Sequence, residues 1–177
     1  MSIKNKKIET LLIPILLLLM PVSCGTPEPV PYPPQQADFA FRFEYGSCTT
    51  DILDTFNDTY TRDMIIEPDV TITLRLADPQ MAAIYQKMVS ISFFDYPEVF
   101  SIPTPKNGMV GIVTPASQYR ITVRNGDLTK SLSWIDEIVD PKTPEVDKLR
   151  ELLQLIIKSI EDHPDYKKLP ERKAGCL

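Results

Sequence analysis

Residues 117–134 read Ser-Gln-Tyr-Arg-Ile-Thr-Val-Arg-Asn-Gly-Asp-Leu-Thr-Lys-Ser-Leu-Ser-Trp, and this stretch decides the fold class. Tyr119, Ile121 and Val123 alternate with Arg120, Thr122 and Arg124. Beyond Asn125-Gly126, residues Leu128, Leu132 and Trp134 fall on one alternating set, interrupted by Lys130. A period of two belongs to a strand with one buried face, and Asn-Gly suits a two-residue hairpin turn, whose central positions need positive φ. The pattern predicts a hairpin over 117–124 and 128–134, with Asn125 and Gly126 at its centre and Arg124 facing Asp127.

Upstream, the same period recurs. In residues 38–45, Phe39, Phe41, Phe43 and Tyr45 oppose Asp38, Arg42 and Glu44. In residues 69–76, Val70, Ile72, Leu74 and Leu76 oppose Thr71, Thr73 and Arg75. Weaker strands are expected at 51–57 and 59–65, around a turn at Asn57-Asp58. Two segments instead carry the helical period. Asp78-Pro79 offers a cap and a first-turn proline for a helix over 79–91, in which Ile84, Met88 and Ile91 share a face. Thr143-Pro144-Glu145 opens the second. Its stripe of Val146, Leu149, Leu152, Leu153, Ile156, Ile157 and Ile160 runs until His163-Pro164. Phe93-Phe94-Asp95-Tyr96 reads as an aromatic plug of the sheet rather than a ligand cage. Strands with one dry face and helices with one apolar stripe predict a two-layer α+β domain: an antiparallel sheet of five to seven strands with two helices on one face.

The first 36 residues differ in kind. Ser-Ile-Lys-Asn-Lys-Lys at 2–7 is a positive segment, and the ten residues 11–20 are apolar throughout except for the break at Pro14. Ten residues suit the core of an export signal, whereas a spanning helix needs about 20. The segment ends in Pro21-Val22-Ser23-Cys24-Gly25, which resembles the lipobox of bacterial lipoproteins; Pro21 stands where that family usually carries Leu. The resemblance covers residues 1–25. It implies cleavage before Cys24, a diacylglycerol thioether and further acylation (palmitate) on Cys24, and attachment to a membrane through that lipid. With Gly25 rather than Asp after the anchor, it implies the outer membrane, facing the periplasm, in a two-membrane cell. In a single-membrane cell it implies the outer face of the cytoplasmic membrane. Residues 25–36 hold five prolines and read as a spacer. The expected organisation is a signal peptide over 1–23, a lipidated cysteine and spacer over 24–36, and one domain over 37–177, whose layout resembles several uncharacterised secreted bacterial domains without implying an activity.

Charge narrows the function. The chain carries −5 overall, and Lys4, Lys6, Lys7 and Glu9 give residues 1–23 a net +2, leaving −7 for the remainder. An acidic domain is a poor partner for nucleic acid, whose affinity comes from Lys and Arg on phosphate. No Gly-x-Ser-x-Gly, phosphate-binding glycine loop or His-Glu-x-x-His occurs. With Cys24 lipidated, one histidine (His163) and two cysteines do not build a typical zinc site, so neither metal nor cofactor is expected. Asp51, Asp54 and Asp58 lack the spacing of a calcium loop and read as solvated strand and turn positions. Cys48 and Cys176 are expected to form a disulfide outside the cytoplasm, the alternative being two reduced thiols.

Two surfaces remain as binding candidates. The 98–116 segment, long for a loop, carries Met109, Val110, Ile112 and Val113. These four form a contact patch if exposed and belong to the core if 109–113 is a strand, the reading favoured by their composition. The other surface is the outer sheet face with Thr71, Thr73, Arg75, Arg120, Thr122 and Arg124. The expected function is therefore a noncatalytic binding or accessory module of the cell envelope, meeting an envelope protein at the 98–116 segment. The alternatives are a hydrolase of envelope polymers using paired carboxylates, or a structural lipoprotein of an envelope assembly.

Overall fold

The computed structural model describes residues 32–102, 111–139 and 143–173. Cys24, Met109, Val110 and Cys176 lie outside them. The described residues form strands β1 (Ala40–Gly46), β2 (Asp51–Asp54), β3 (Thr59–Arg62) and β4 (Val70–Thr73), then helix α1 (Asp78–Ser90). Next come β5 (Val99–Phe100), β6 (Ile112–Asn125), β7 (Leu128–Ile138) and helix α2 (Pro144–Glu161). The strands make one sheet in the order β4-β3-β2-β1-β6-β7-β5. The fold is α+β, as the two periodicities predicted. Its neighbours pair antiparallel except β5, which joins the β7 edge in parallel. That mixed edge departs from the all-antiparallel expectation, because a strand of two residues carries no period to read.

Register explains the layering. Phe43 on β1 sits opposite Leu53 of β2 and Ile121 of β6. Leu53 in turn faces Tyr60, and Ile121 faces Leu132. Side chains directly across strands share a face, so these residues form one dry surface. Ile84, Tyr85 and Met88 of α1 and Val146, Leu149, Leu152, Leu153, Ile156 and Ile160 of α2 are buried in the same cluster. Phe93 and Tyr96 join the core as expected. The Tyr96 hydroxyl donates to the Glu145 carbonyl over 2.9 Å and holds the start of α2. Arg150 clamps α2 to β7 by a two-pronged contact with Asp136, at 2.8 and 2.7 Å, while its guanidinium lies 5.8 Å from the centre of the Trp134 ring.

Two local expectations fail, and a third holds in position but not in its bond. Asn125 pairs with Leu128, so Gly126 and Asp127 occupy the turn and Arg124 faces Thr129 instead of Asp127. Gly126 takes the positive φ of 61° that the turn requires, and the Asn125 amide is 1% exposed because it has partners elsewhere. Asp78 does not cap α1. Ala77 holds that position, and Gln80 Oε1 accepts the Ala77 N–H at 2.9 Å. Thr143 stands at the cap of α2, but its hydroxyl makes no capping bond and is buried without a partner among the described residues.

Phe43 is fully buried at the centre of the sheet. Phe43→Ala is expected to lower unfolding stability in urea by about 3–5 kcal/mol. Thr129→Ala, at an exposed strand position, should change it by less than about 0.5 kcal/mol.

Candidate functional site

Register aligns two rows at one end of the sheet. On the helix side, Asp51, Tyr45, Tyr119, Trp134 and Phe100 stand side by side across β2, β1, β6, β7 and β5. Three of these rings are continuous: Tyr119 and Trp134 centroids lie 5.8 Å apart, and Trp134 and Phe100 lie 5.5 Å apart edge-on. On the opposite face the matching row is Ile52, Glu44, Arg120, Ser133 and Val99. One step further, Gly46, Gln118 and Ile135 are in register.

Glu44, Arg120, Ser133 and Val99 of that row line an open groove of about 620 Å³, together with Tyr45, Tyr119, Trp134 and Phe100 of the helix-side row. Residues Ser47–Thr50, including Cys48, and Ser101-Ile102 also line it. Its lining mixes Glu44, Gln118, Arg120, Ser133 and Glu137 with the apolar Val99 and Ile135. Val99 is 71% exposed and Ile135 54%. Ile112, Val113 and Val139, on the same β6–β7 end, are exposed as well. The core reading of Ile112 and Val113 is therefore corrected. Ile112 does pair with Ile138, but a register shift separates it from Ser117 and takes it out of the helix-covered face.

The Thr/Arg outer face proves internally compensated. Glu44 accepts from Arg42 at 2.9 Å and from Arg120 at 3.3 Å, and Asp54 accepts from Arg42 at 3.3 Å. The hydrogen bond to Glu44 outweighs burial and raises the Arg42 pKa. Thr61 and Thr71 hydroxyls pair at 2.8 Å, and Thr122 pairs with Ser131 at 3.1 Å. Arg124 leaves this row to sit 5.0 Å over the Phe56 ring, beside Arg75 in a second cleft. Arginines spent on neighbouring carboxylates offer little to an acidic ligand.

The three singled-out aspartates are structural. Asp51 and Asp54 are buried rather than solvated, at 5% and 9% exposure. Asp51 accepts from the Tyr60 hydroxyl at 2.9 Å, the Asp63 N–H at 3.0 Å and the Arg172 guanidinium. Since the Tyr60 proton points to Asp51, Tyr45 donates to the Tyr60 oxygen across 3.0 Å. Asp54 takes the Phe56 N–H and the Asn57 amide, and Asp58 adopts a turn φ of 52°. His163 Nδ1 accepts the Asp165 N–H at 3.2 Å. Among the described residues, no group of three or more His, Cys, Asp or Glu is placed to hold a metal ion, and no helix is long and apolar enough to cross a membrane.

The sequence leads one to expect the tail from Tyr166 to hug the domain through Tyr166 and Leu169, as both do, but it gives no sign of the tail's polar ties. Arg62 lies 4.6 Å from the Tyr166 ring centre and donates to the Pro170 carbonyl at 2.9 Å, and Arg172 Nε donates to the Asp63 carbonyl at 2.7 Å. Polar C-terminal residues thus dock on β2 and β3. No protein-family model matches the chain, and no curated protein sequence matches it either.

Burial pushes the Tyr45 and Tyr60 phenols far above the ordinary tyrosine range. In the unfolded chain both titrate near pH 10. Their contribution to stability is therefore complete below about pH 10 and is lost as pH rises beyond it. Thermal unfolding followed from pH 8 to 12 should show stability falling above about pH 10, with a shallower fall in Tyr60→Phe.

Proposed function

We propose that this protein is an exported, lipid-anchored binding module of the cell envelope that engages an envelope protein at the groove floored by Glu44, Arg120, Ser133 and Val99. The supporting observation is the cluster of exposed Val99, Ile112, Val113, Ile135 and Val139 at that end of the sheet. Single exposed aliphatics are ordinary, but several beside a concave, mixed-polarity groove are the usual marks of a contact surface. The strands beneath are fixed by a continuous aromatic row, so the surface is preorganised and little ordering cost opposes binding. Anchoring at Cys24 rests on the lipobox-like residues 21–25 and the charged and apolar segments before them. Lipid on that cysteine would confine the module to a membrane surface.

A bridge between Cys48 and Cys176 belongs to the same reading. Arg172 reaches Asp51 and Asp63, and Lys173 pairs with Glu67 at 2.5 Å, which carries the tail to the start of β2. Four residues from Arg172 to Cys176 span up to about 14 Å, and three from Asp51 to Cys48 up to about 11 Å, so the two cysteines are within reach of each other. The closed loop would restrict the unfolded chain and fix the groove wall that Cys48 helps to build. Peptide mapping without reductant should recover a linked Cys48–Cys176 pair; two alkylated thiols would overturn the bridge.

Binding is tested in the native envelope with a photocrosslinker placed at Ile135, and at Thr73 as an outer-face control. Ile135 should trap one protein reproducibly, Thr73 should not, and Val99→Asp should abolish capture. Equal capture from both positions refutes the groove as the contact surface. Cys24→Ala should move the protein from the membrane fraction to the soluble fraction, and retention of the variant on membranes refutes lipid anchoring.

A further inference from the structure

The proline-rich segment does not run free up to the first strand. Its last five residues, Tyr32–Gln36, are held by three separate parts of the domain. Asn125, at the end of the β6–β7 hairpin, accepts the Gln36 N–H on Oδ1 at 2.7 Å and donates through Nδ2 to the Pro34 carbonyl at 3.2 Å. The same Nδ2 donates to the Tyr85 hydroxyl of α1 at 3.1 Å, and that hydroxyl donates onward to the Pro33 carbonyl. Tyr32 donates to Asp95 and packs on Phe94, with ring centres 5.1 Å apart. Asn125 is almost wholly buried and Tyr85 is buried. Two buried polar side chains whose partners include strap carbonyls are a built seat, since emptying it would strand their donors away from water.

We propose that Tyr32–Gln36 is a docked strap that makes the upstream chain leave the domain at the hairpin end, so that the anchored module presents its groove away from the membrane. The orientation rests on the lipid-anchor reading above; the docking does not. Strap and groove lie at opposite ends of the same strands. Gln36 meets the C-terminal end of β6, whereas the groove occupies the C-terminal end of β1 and the start of the paired part of β6. Ala40 to Gly46 alone separates the two ends by about 20 Å. From Cys24 to Tyr32 the chain spans at most about 29 Å, and releasing the strap to Gln36 adds up to about 14 Å. A docked strap thus shortens the leash and fixes its point of attachment. The partner is then a molecule met on the side away from the anchoring membrane, not a lipid headgroup or a segment within that membrane.

The test has two arms. In the full chain carrying Cys24→Ala, hydrogen exchange at the Gln36 amide should accelerate about five- to tenfold in Asn125→Ala. Tyr85→Phe, which removes only the hydroxyl, should loosen Pro33 and accelerate the same amide less, with the Trp134 emission unchanged as a control for folding. Unaltered Gln36 exchange in both variants overturns the strap. In the second arm, lipidated protein is reconstituted into phosphatidylethanolamine–phosphatidylglycerol vesicles with a headgroup acceptor. A donor amino acid is incorporated at Thr129, near the hairpin end, or at Glu137, near the groove. Transfer should be severalfold stronger from position 129, and Asn125→Ala should reduce the contrast. Equal transfer from the two positions, with the protein on the vesicles, overturns the orientation alone. Failure of the protein to associate with vesicles overturns the anchor and the orientation together.

Discussion

The structure depends on the burial of one face of β1. Phe41 and Phe43 are fully enclosed, flanked in register by Val123 and Ile121 on one side and, for Phe43, by Leu53 on the other. Side chains on a strand alternate strictly, so a slip of one residue would expose both phenylalanines and bury Arg42 and Glu44. That penalty fixes the register of β1 against both neighbours, and each neighbour passes it on to the next strand. The two helices then cover an apolar surface whose outline is already set. Removing an aromatic from the middle costs contacts on every side and leaves a cavity that a packed core fills only in part.

What could be read from the sequence follows this hierarchy. The alternation at 38–45 and 117–134, and the stripe from Val146 to Ile160, each repeat a period many times over, and the layers they imply are those observed. Features decided by one or two side chains were not legible. A two-residue parallel strand at Val99–Phe100 has no period. Asn125 looked like a turn residue because Asn-Gly so often is one, yet its amide is used by Gln36, Pro34 and Tyr85, all distant in sequence. Asp51 read as a solvated strand position because nothing near it announces Arg172, more than a hundred residues on. Ile112 and Val113 match a strand in composition, and they occupy one. Composition could not say that the register shift before Ser117 would leave them outside the helix-covered face.

The candidate site is less legible than the fold for a physical reason. Its floor is the polar face of the sheet, where alternation predicts solvent and nothing more. Only cross-strand register brings Glu44 beside Arg120 and Ser133, and only the fold brings residues 47–50 and 101–102 to the same groove. The same register sets Arg120 against Glu44, which also holds Arg42. With Glu44 and Arg120 paired to each other and its aliphatics exposed, the surface is suited to a contact in which shape and apolar area matter more than net charge.

Both ends of the described domain are secured by polar side chains withdrawn from water, and this has a common consequence. Asn125 holds the N-terminal strap at one end of the sheet, and Asp51 holds Arg172 of the C-terminal tail near the other. Each tie has a small apolar contact beside it, Tyr32 on Phe94 and Tyr166 with Leu169 on the core, but most of the domain's apolar area lies between sheet and helices. Each instead relies on the cost of leaving a buried donor or acceptor unpaired, which is larger than the net gain of making the bond. Such ties are selective: a substitute segment must supply carbonyls and N–H groups at the same positions. An acidic module held by two directional clasps at opposite ends of its strands keeps a defined orientation relative to its chain ends. A generic hydrophobic contact of the same strength would allow those ends to slide.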